Sequence, residues 1–274
     1  ADVGAPPAFS AAAAGAALDG LYTVRFPRAV RLASNASAVA AARVHVDRVL
    51  KSAPAGTTRV RHRFARVLHG FTAHLSPEGV AHHERLGAEV HADAPARAVA
   101  QTNWGRDRID QPALPLDGIY RTPVSGHGAH VFVIDTGINE AHTEFTGRLG
   151  DHHDIVHDGR GYHDCDGHGT HVAGVAVGQN VGVATGATLH AVRALDCEGK
   201  GSFADVIAGM EWVAAHPSRV KVAVLSLGGP KYPVVDSAVA ELVEAGVTVV
   251  VAASNEGRDA CDFSPARAPE AITV

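Results

Sequence analysis

The chain has 274 residues, 46% of them hydrophobic but only 5% aromatic, with 29 glycines and a formal net charge of −5. That is enough chain for two modules with a core of Val, Ala and Leu. Its longest apolar runs, such as Val247–Ala253, are far too short to cross a bilayer, so no membrane partner is expected. The charge is unevenly shared: residues 1–100 carry 12 Lys+Arg against 7 Asp+Glu, and residues 101–274 carry 12 against 22. Two ordinary solvated surfaces would give this split. So would a basic module that docks on an acidic one, because complementary fields favour encounter and register.

Residues 1–20 lack an initiator Met and the basic start and compact apolar centre of a signal peptide, and read as an Ala-rich disordered leader. Tyr22–Val30 reads as a strand. Val39, Ala42, Val46, Val49 and Leu50 recur at helical spacing through 37–52. Arg59–Arg66 and Val67–Leu75 suggest two strands joined near Arg66, Ser76-Pro77-Glu78 opens a helix with Pro in its first turn, and Glu89–Ala92 closes the set. The order β-α-β-β-α-β is that of a small α+β, ferredoxin-like fold. RNA-recognition modules share that fold. However, His69–Leu75 offers one aromatic where base stacking needs two or three, and Arg59, Arg61 and Arg63 on one strand face are ordinarily a solvated edge, so no nucleic acid is expected.

The span 95–127, with Pro95, Pro112, Pro115 and Pro123, reads as a connection. Beyond it, the apolar runs His130–Ile134, Thr188–Leu195, Val220–Leu227 and Val247–Ala253 do not alternate, as expected of strands buried on both faces. Helical patterns at 168–178, 203–216 and 234–245 separate them. This is an α/β arrangement with a parallel sheet, whose sites form at the carboxyl ends of the strands; Asp135, Gly228 and Asn255 fall at such ends.

Two segments carry chemistry. Val131-Phe132-Val133-Ile134-Asp135-Thr136-Gly137 is an apolar strand that ends in an acid, and Gly167-His168-Gly169-Thr170-His171 opens a helix. Asp135 can orient an imidazole by accepting the Nδ1 proton, leaving Nε2 of His168 to act as general base for a hydroxyl. Taken singly, Asp135 could be a strand-end cap and Asn255-Glu256-Gly257 a turn. Seven histidines lie between His142 and His171, and His168 with His171 at i,i+3 could hold zinc. The usual zinc-protease pattern needs i,i+4 spacing with an intervening Glu, which is missing, so no metal site is assigned. Cys165, Cys197 and Cys261 lack zinc-site spacing and suggest one bridge with one cysteine left over.

Four blocks in order resemble the subtilisin family, in its proteinase K and aqualysin branch: Val133–Gly137, Gly167–Gly174, Ser226-Leu227-Gly228-Gly229 and Ala252-Ala253-Ser254-Asn255. The Asp, His, Ser order is that of the family's triad. The resemblance implies a serine endopeptidase acting on polypeptides, with Asp135 and His168 as triad members and Asn255 as the oxyanion donor. It implies a substrate cleft lined by Gly199, Gly201, Ser226, Leu227, Gly228, Ala253 and Ser254, in which Gly199 and Gly201 let a substrate backbone approach closely. It also implies a Cys165–Cys197 bridge, and no cofactor for catalysis. Pro269 and Ala271 match positions whose carbonyls hold a structural calcium in proteinase K-like proteins, with the partner acid falling beyond Val274. Ser254 departs from the family pattern, standing where glycine is usual.

The first module resembles the inhibitor-type propeptide of secreted subtilases, through Tyr22-Thr23-Val24, Leu68–Glu78 and Val90–Asp93. The implied organisation is a leader at 1–20, a propeptide at 21–97 acting as intramolecular inhibitor, and the N-terminal part of the peptidase domain at 98–274. Processing is expected near Ala98–Gln101, and the protein is expected to be secreted. Asn35-Ala36-Ser37 is then a glycosylation tripeptide. No Gly-Thr-Ser segment occurs up to Val274, so the nucleophile is not among these residues, and as given they are expected to be inactive. The alternative is a catalytically inactive protein that uses the retained cleft for binding.

Overall fold

The computed structural model describes residues 20–27, 36–98, 105–115 and 119–274. Residues 1–19, Asn35 of the Asn35-Ala36-Ser37 tripeptide and most of the expected processing segment lie outside them. The N-terminal module runs β1 (Leu21–Arg25), α1 (Ala36–Ser52), β2 (Thr58–Phe64), β3 (Gly70–Leu75), α2 (Pro77–Arg85) and β4 (Glu89–Ala92). Its antiparallel sheet has the order β2-β3-β1-β4, the ferredoxin-like arrangement. Val39, Ala42, Val46 and Val49 form the buried face of α1, and Val46 and Val49 pack with Val24, Phe71 and Ala73. The Ser76 hydroxyl caps α2 by accepting Gly79 N–H at 3.2 Å, with Pro77 in the first turn.

Three strand boundaries differ from the sequence reading: β2 ends at Phe64 rather than Arg66, and the other two lie in β1 and β3. β1 ends at Arg25, before Phe26, and β3 starts at Gly70 rather than Val67. Residues 65–67 leave the sheet because their N–H groups are used elsewhere. The Glu211 carboxylate accepts from Ala65, Arg66 and Val67 at 2.9–3.3 Å, while Val67 and Leu68 are buried against the second module.

Next come β5 (Pro95–Ala98) and α3 (Gly105–Ile109). The second module follows as β6 (His130–Asp135), β7 (His153–Asp154), α4 (His168–Val177), β8 (Thr188–Arg193), β9 (Lys200–Ser202), α5 (Phe203–Ala215), β10 (Lys221–Leu225), β11 (Leu227–Pro230), α6 (Pro233–Glu244), β12 (Val247–Val251), β13 (Phe263–Ser264) and β14 (Ile272–Thr273). Six strands make a parallel sheet in the order β14-β12-β10-β6-β8-β7. Alternate side chains divide between its faces: Phe132, Ile134, Val192, Leu225 and Val251 pack with α5 and α6, and Val131, Val133, Leu189 and Ala191 with α4. Full burial on both faces, expected from the apolar runs, holds for β6 and β8. In β10 and β12 it does not, because Val222, Val224, Thr248 and Val250 are only partly covered or exposed.

The modules share one apolar cluster, with Phe64 and Leu68 packed among residues of α5 and α6. Arg61 and His62 reach Asp205 of α5 at 2.8 and 2.9 Å. Arg59, Arg61 and Arg63 are exposed, as read from the sequence, and Arg61 alone of the three also meets an acid of the second module, as the charge split permits. The last sheet is antiparallel, in the order β13-β11-β5-β9: the tail of the N-terminal module lies between two edge strands of the second.

Candidate active site

Asp135 is the last residue of β6 and is fully buried. His168 is the first residue of α4, and its Nδ1 lies 2.8 Å from Asp135 Oδ1. The same oxygen accepts the Thr136 N–H at 2.7 Å. Gly137 and Gly169 allow this approach of helix to strand end. Gly137 has φ +108, and a Cβ on Gly169 would sit 2.2 Å from the Gly137 carbonyl oxygen. Burial pushes the Asp135 carboxyl above its ordinary pKa, against the pull of the hydrogen bond and charge of His168. Because Nδ1 is committed to Asp135, Nε2 is the nitrogen that can accept a proton. His171 points elsewhere, lining a cavity of about 420 Å³.

That cavity also brings together Ser226, Ala253, Ser254 and Asn255 with Val175, Val224 and Val250. Asn255 is exposed at its rim, and His168 does not line the cavity. Ser254 has φ 83, a left-handed conformation that strains a residue with a Cβ.

Gly201, Leu227 and Gly228 belong to the strands that hold β5. Gly201 pairs with Ala96, Leu227 with Ala98 and Gly228 with Arg97. Gly228 therefore lies within a pairing strand rather than at a strand end, because the chain breaks at Ser226 and β11 starts a second sheet. A Cβ on Gly201 would meet the Ala194 carbonyl at 2.5 Å. Gly199 is not in the pairing edge, which begins at Lys200. With φ +67 it closes the turn in which Asp196 N–H donates to the Lys200 carbonyl at 2.7 Å.

Cys165 and Cys197 form a disulfide with Cα atoms 5.0 Å apart, tying the loop before α4 to the turn before β9. Cys261 is exposed and outside the pair. Fully buried Arg193 lies beneath the bridge and makes a bidentate pair with Asp158 at 2.7 and 2.8 Å. Pro269 is exposed and Ala271 half-buried ahead of β14. Among the described residues no group of three or more His, Cys, Asp or Glu could hold a metal.

A family model described as the subtilase family, Peptidase S8, matches residues 126–274. The chain belongs to the subtilase family. Relatives of this subtilase include an extracellular serine proteinase of Thermus sp. (strain Rt41A), 52% identical over 190 residues, and alkaline serine exoprotease A of Vibrio alginolyticus, 44% identical over 227. The matches cover 68% and 77% of this chain but 46% and 42% of those proteins, so it spans less than half their length. A crystal structure of a cold adapted subtilisin-like serine proteinase superposes with a TM-score of 0.60 at 45% identity, over 63% of this chain and 64% of the other.

Sequence reasoning overlooked Arg193, Glu211 and the acceptor role of Asp164, which takes N–H groups from the first turn of α4. Only Asp164 had a usable signal. A helix whose N-cap is Gly167 has no capping side chain at that position, so an acid just upstream is the natural supplier.

Proposed function

We propose that the protein is a secreted serine endopeptidase in which this chain supplies the acid, the base and the oxyanion donor, together with its own inhibitor. The carrying observation is the 2.8 Å contact between His168 Nδ1 and buried Asp135 at the carboxyl end of β6. In this reading a serine hydroxyl attacks the scissile carbonyl while His168 Nε2 takes its proton. Asp135 holds the imidazole in the Nδ1–H tautomer and stabilises the imidazolium. Asn255 donates its amide to the oxyanion; losing such a donor costs about 10²–10³ in rate, a value measured in subtilisin, a member of this family. His168 then returns the proton to the leaving amine, and water resolves the acyl-enzyme. The serine would come from the part of such proteases that this chain does not span.

The antiparallel pairing of β5 with both β9 and β11 supports the inhibitor role. An extended segment there makes the main-chain bonds a substrate strand would make. The buried contacts of Phe64, Leu68 and Glu211 would hold it in place. The disulfide and the relative named as an extracellular serine proteinase support secretion, and among the described residues no helix is long and apolar enough to cross a membrane.

The test is peptide hydrolysis by the full-length protein. His168→Ala should lower kcat by about 10⁶ and Asp135→Ala by about 10⁴, the losses known from subtilisin within this family. Full activity in either variant would refute the assignment. Peptide binding without turnover in the wild type would favour the non-catalytic alternative.

A further inference from the structure

Helix α4 begins without a cap of its own: Gly167 at its N-cap has φ 106 and no side chain to accept a hydrogen bond. First-turn N–H groups need acceptors. Here the His168 N–H goes to Asp166 Oδ1 at 3.1 Å, the Gly169 N–H to Thr136 Oγ1, and the Thr170 N–H, with that of Gly167, to Asp164. Its Oδ1 accepts from Gly167 N–H at 2.8 Å and Asp166 N–H at 3.1 Å, and its Oδ2 accepts from Thr170 N–H at 2.9 Å and from the Thr170 hydroxyl. The Thr136 hydroxyl donates to Asp164 Oδ1 at 2.9 Å and accepts Gly169 N–H at 2.9 Å. Thr170 Oγ1 in turn accepts the Asn139 N–H at 2.9 Å. One buried carboxylate thus joins the segment that follows β6 to the turn that carries His168. Burial opposes its charge, but the hydrogen bonds from Thr170, Gly167 and Thr136 outweigh this and hold its pKa below the ordinary range. It is therefore an acceptor-only group at neutral pH.

The geometry points to Asp164 as a positioning residue for His168, fixing through Thr136 and Thr170 the separation at which the imidazole meets Asp135. It does not touch the reacting atoms. Thr136 gives the link its reach, because its N–H is on Asp135 while its hydroxyl is on Asp164. Without Asp164, the N–H groups of Gly167 and Thr170 must turn to water and the first turn of α4 relaxes. A 2.8 Å hydrogen bond weakens when its donor shifts by a few tenths of an ångström. The role rests on reading His168 and Asp135 as base and orienting acid, but the test reads geometry alone and does not depend on turnover.

The probe is the Nδ1 proton of His168, observed by NMR in the 274-residue chain with ¹⁵N-labelled histidine and assigned by its loss in His168→Ala. In the wild type it should resonate far downfield and exchange slowly. Asp164→Ala should move it upfield and speed its exchange by about tenfold or more, the factor carried by a charge-assisted hydrogen bond. Asp164→Asn, which keeps one acceptor oxygen, should recover part of the shift. An unchanged resonance and exchange rate in Asp164→Ala would overturn the assignment. If that variant does not fold, Thr170→Val removes one donor and keeps the carboxylate. A smaller upfield shift there supports the role, and no shift overturns it.

Discussion

His190 should make the protein sensitive to acid. It lies on β8, only 2% exposed, with its ring stacked on Phe132 at a centroid distance of 4.3 Å. Its Nδ1 lies 2.8 Å from the Asp151 carbonyl oxygen, to which it must donate, so Nε2 accepts from His130 Nδ1 at 2.8 Å. A second proton would have to enter between two donors, in a site that also faces His216. Burial, assisted by His216 and His130, lowers its pKa from 6.5 to about 4. The folded state thus refuses a proton that the unfolded state takes. The stabilisation is complete above pH 6.5 and is lost as pH falls toward 4. Between pH 8 and pH 4.5 the loss from this residue is about 2.5 kcal/mol, from 1.36 kcal/mol per pK unit. His83 in the N-terminal module, also lowered to about 4, adds to the overall slope, so the contribution must be isolated by substitution. His190→Asn keeps a donor and an acceptor and removes the titration. Urea unfolding at pH 8, 6.5, 5 and 4.5 should show wild type and variant converging by about 2.5 kcal/mol as the pH falls. Parallel curves would refute the reasoning.

Other substitutions probe the remaining elements. Replacing Cys165 and Cys197 by serine frees a loop with a sequence separation of 32 and should cost about 4 kcal/mol in the chain-entropy model, read as a lower denaturation midpoint. Ser254→Gly relieves a left-handed Ser and should stabilise by about 1 kcal/mol net of the added backbone entropy; a lower Tm would mean that the conformation is not strained. Glu211→Ala should raise hydrogen exchange at the Ala65, Arg66 and Val67 amides by about tenfold or more, with amides in β6 unchanged.

The parallel sheet and the ferredoxin-like module were legible because their signals are local. Helical spacing at Val39–Val49, a Ser-Pro-Glu helix start and uninterrupted apolar strands each act within a few residues. Asp135 and His168 were legible for a related reason, since a strand-end acid and a helix-start histidine sit inside recognisable segments. What stayed hidden acts across long separations. Glu211 reads as one more charge on α5, yet it takes backbone donors about 145 residues away and thereby delays to Gly70 the strand expected to begin at Val67. Arg61 reads as a solvated edge until Asp205 is brought against it. Gly199 and Gly201 look equivalent in sequence, and only the register separates a turn glycine from one on the pairing edge.

In the proposed mechanism His168 and Asp135 activate a serine in a cleft that β5 fills. This is tested most directly by labelling the full-length protein with a fluorophosphonate, which reacts only with an activated serine. Covalent labelling of the processed enzyme is expected, with little labelling while the N-terminal module is still attached and none in His168→Ala. Labelling that survives His168→Ala, or hydrolysis of peptides with no labelled serine, would contradict it.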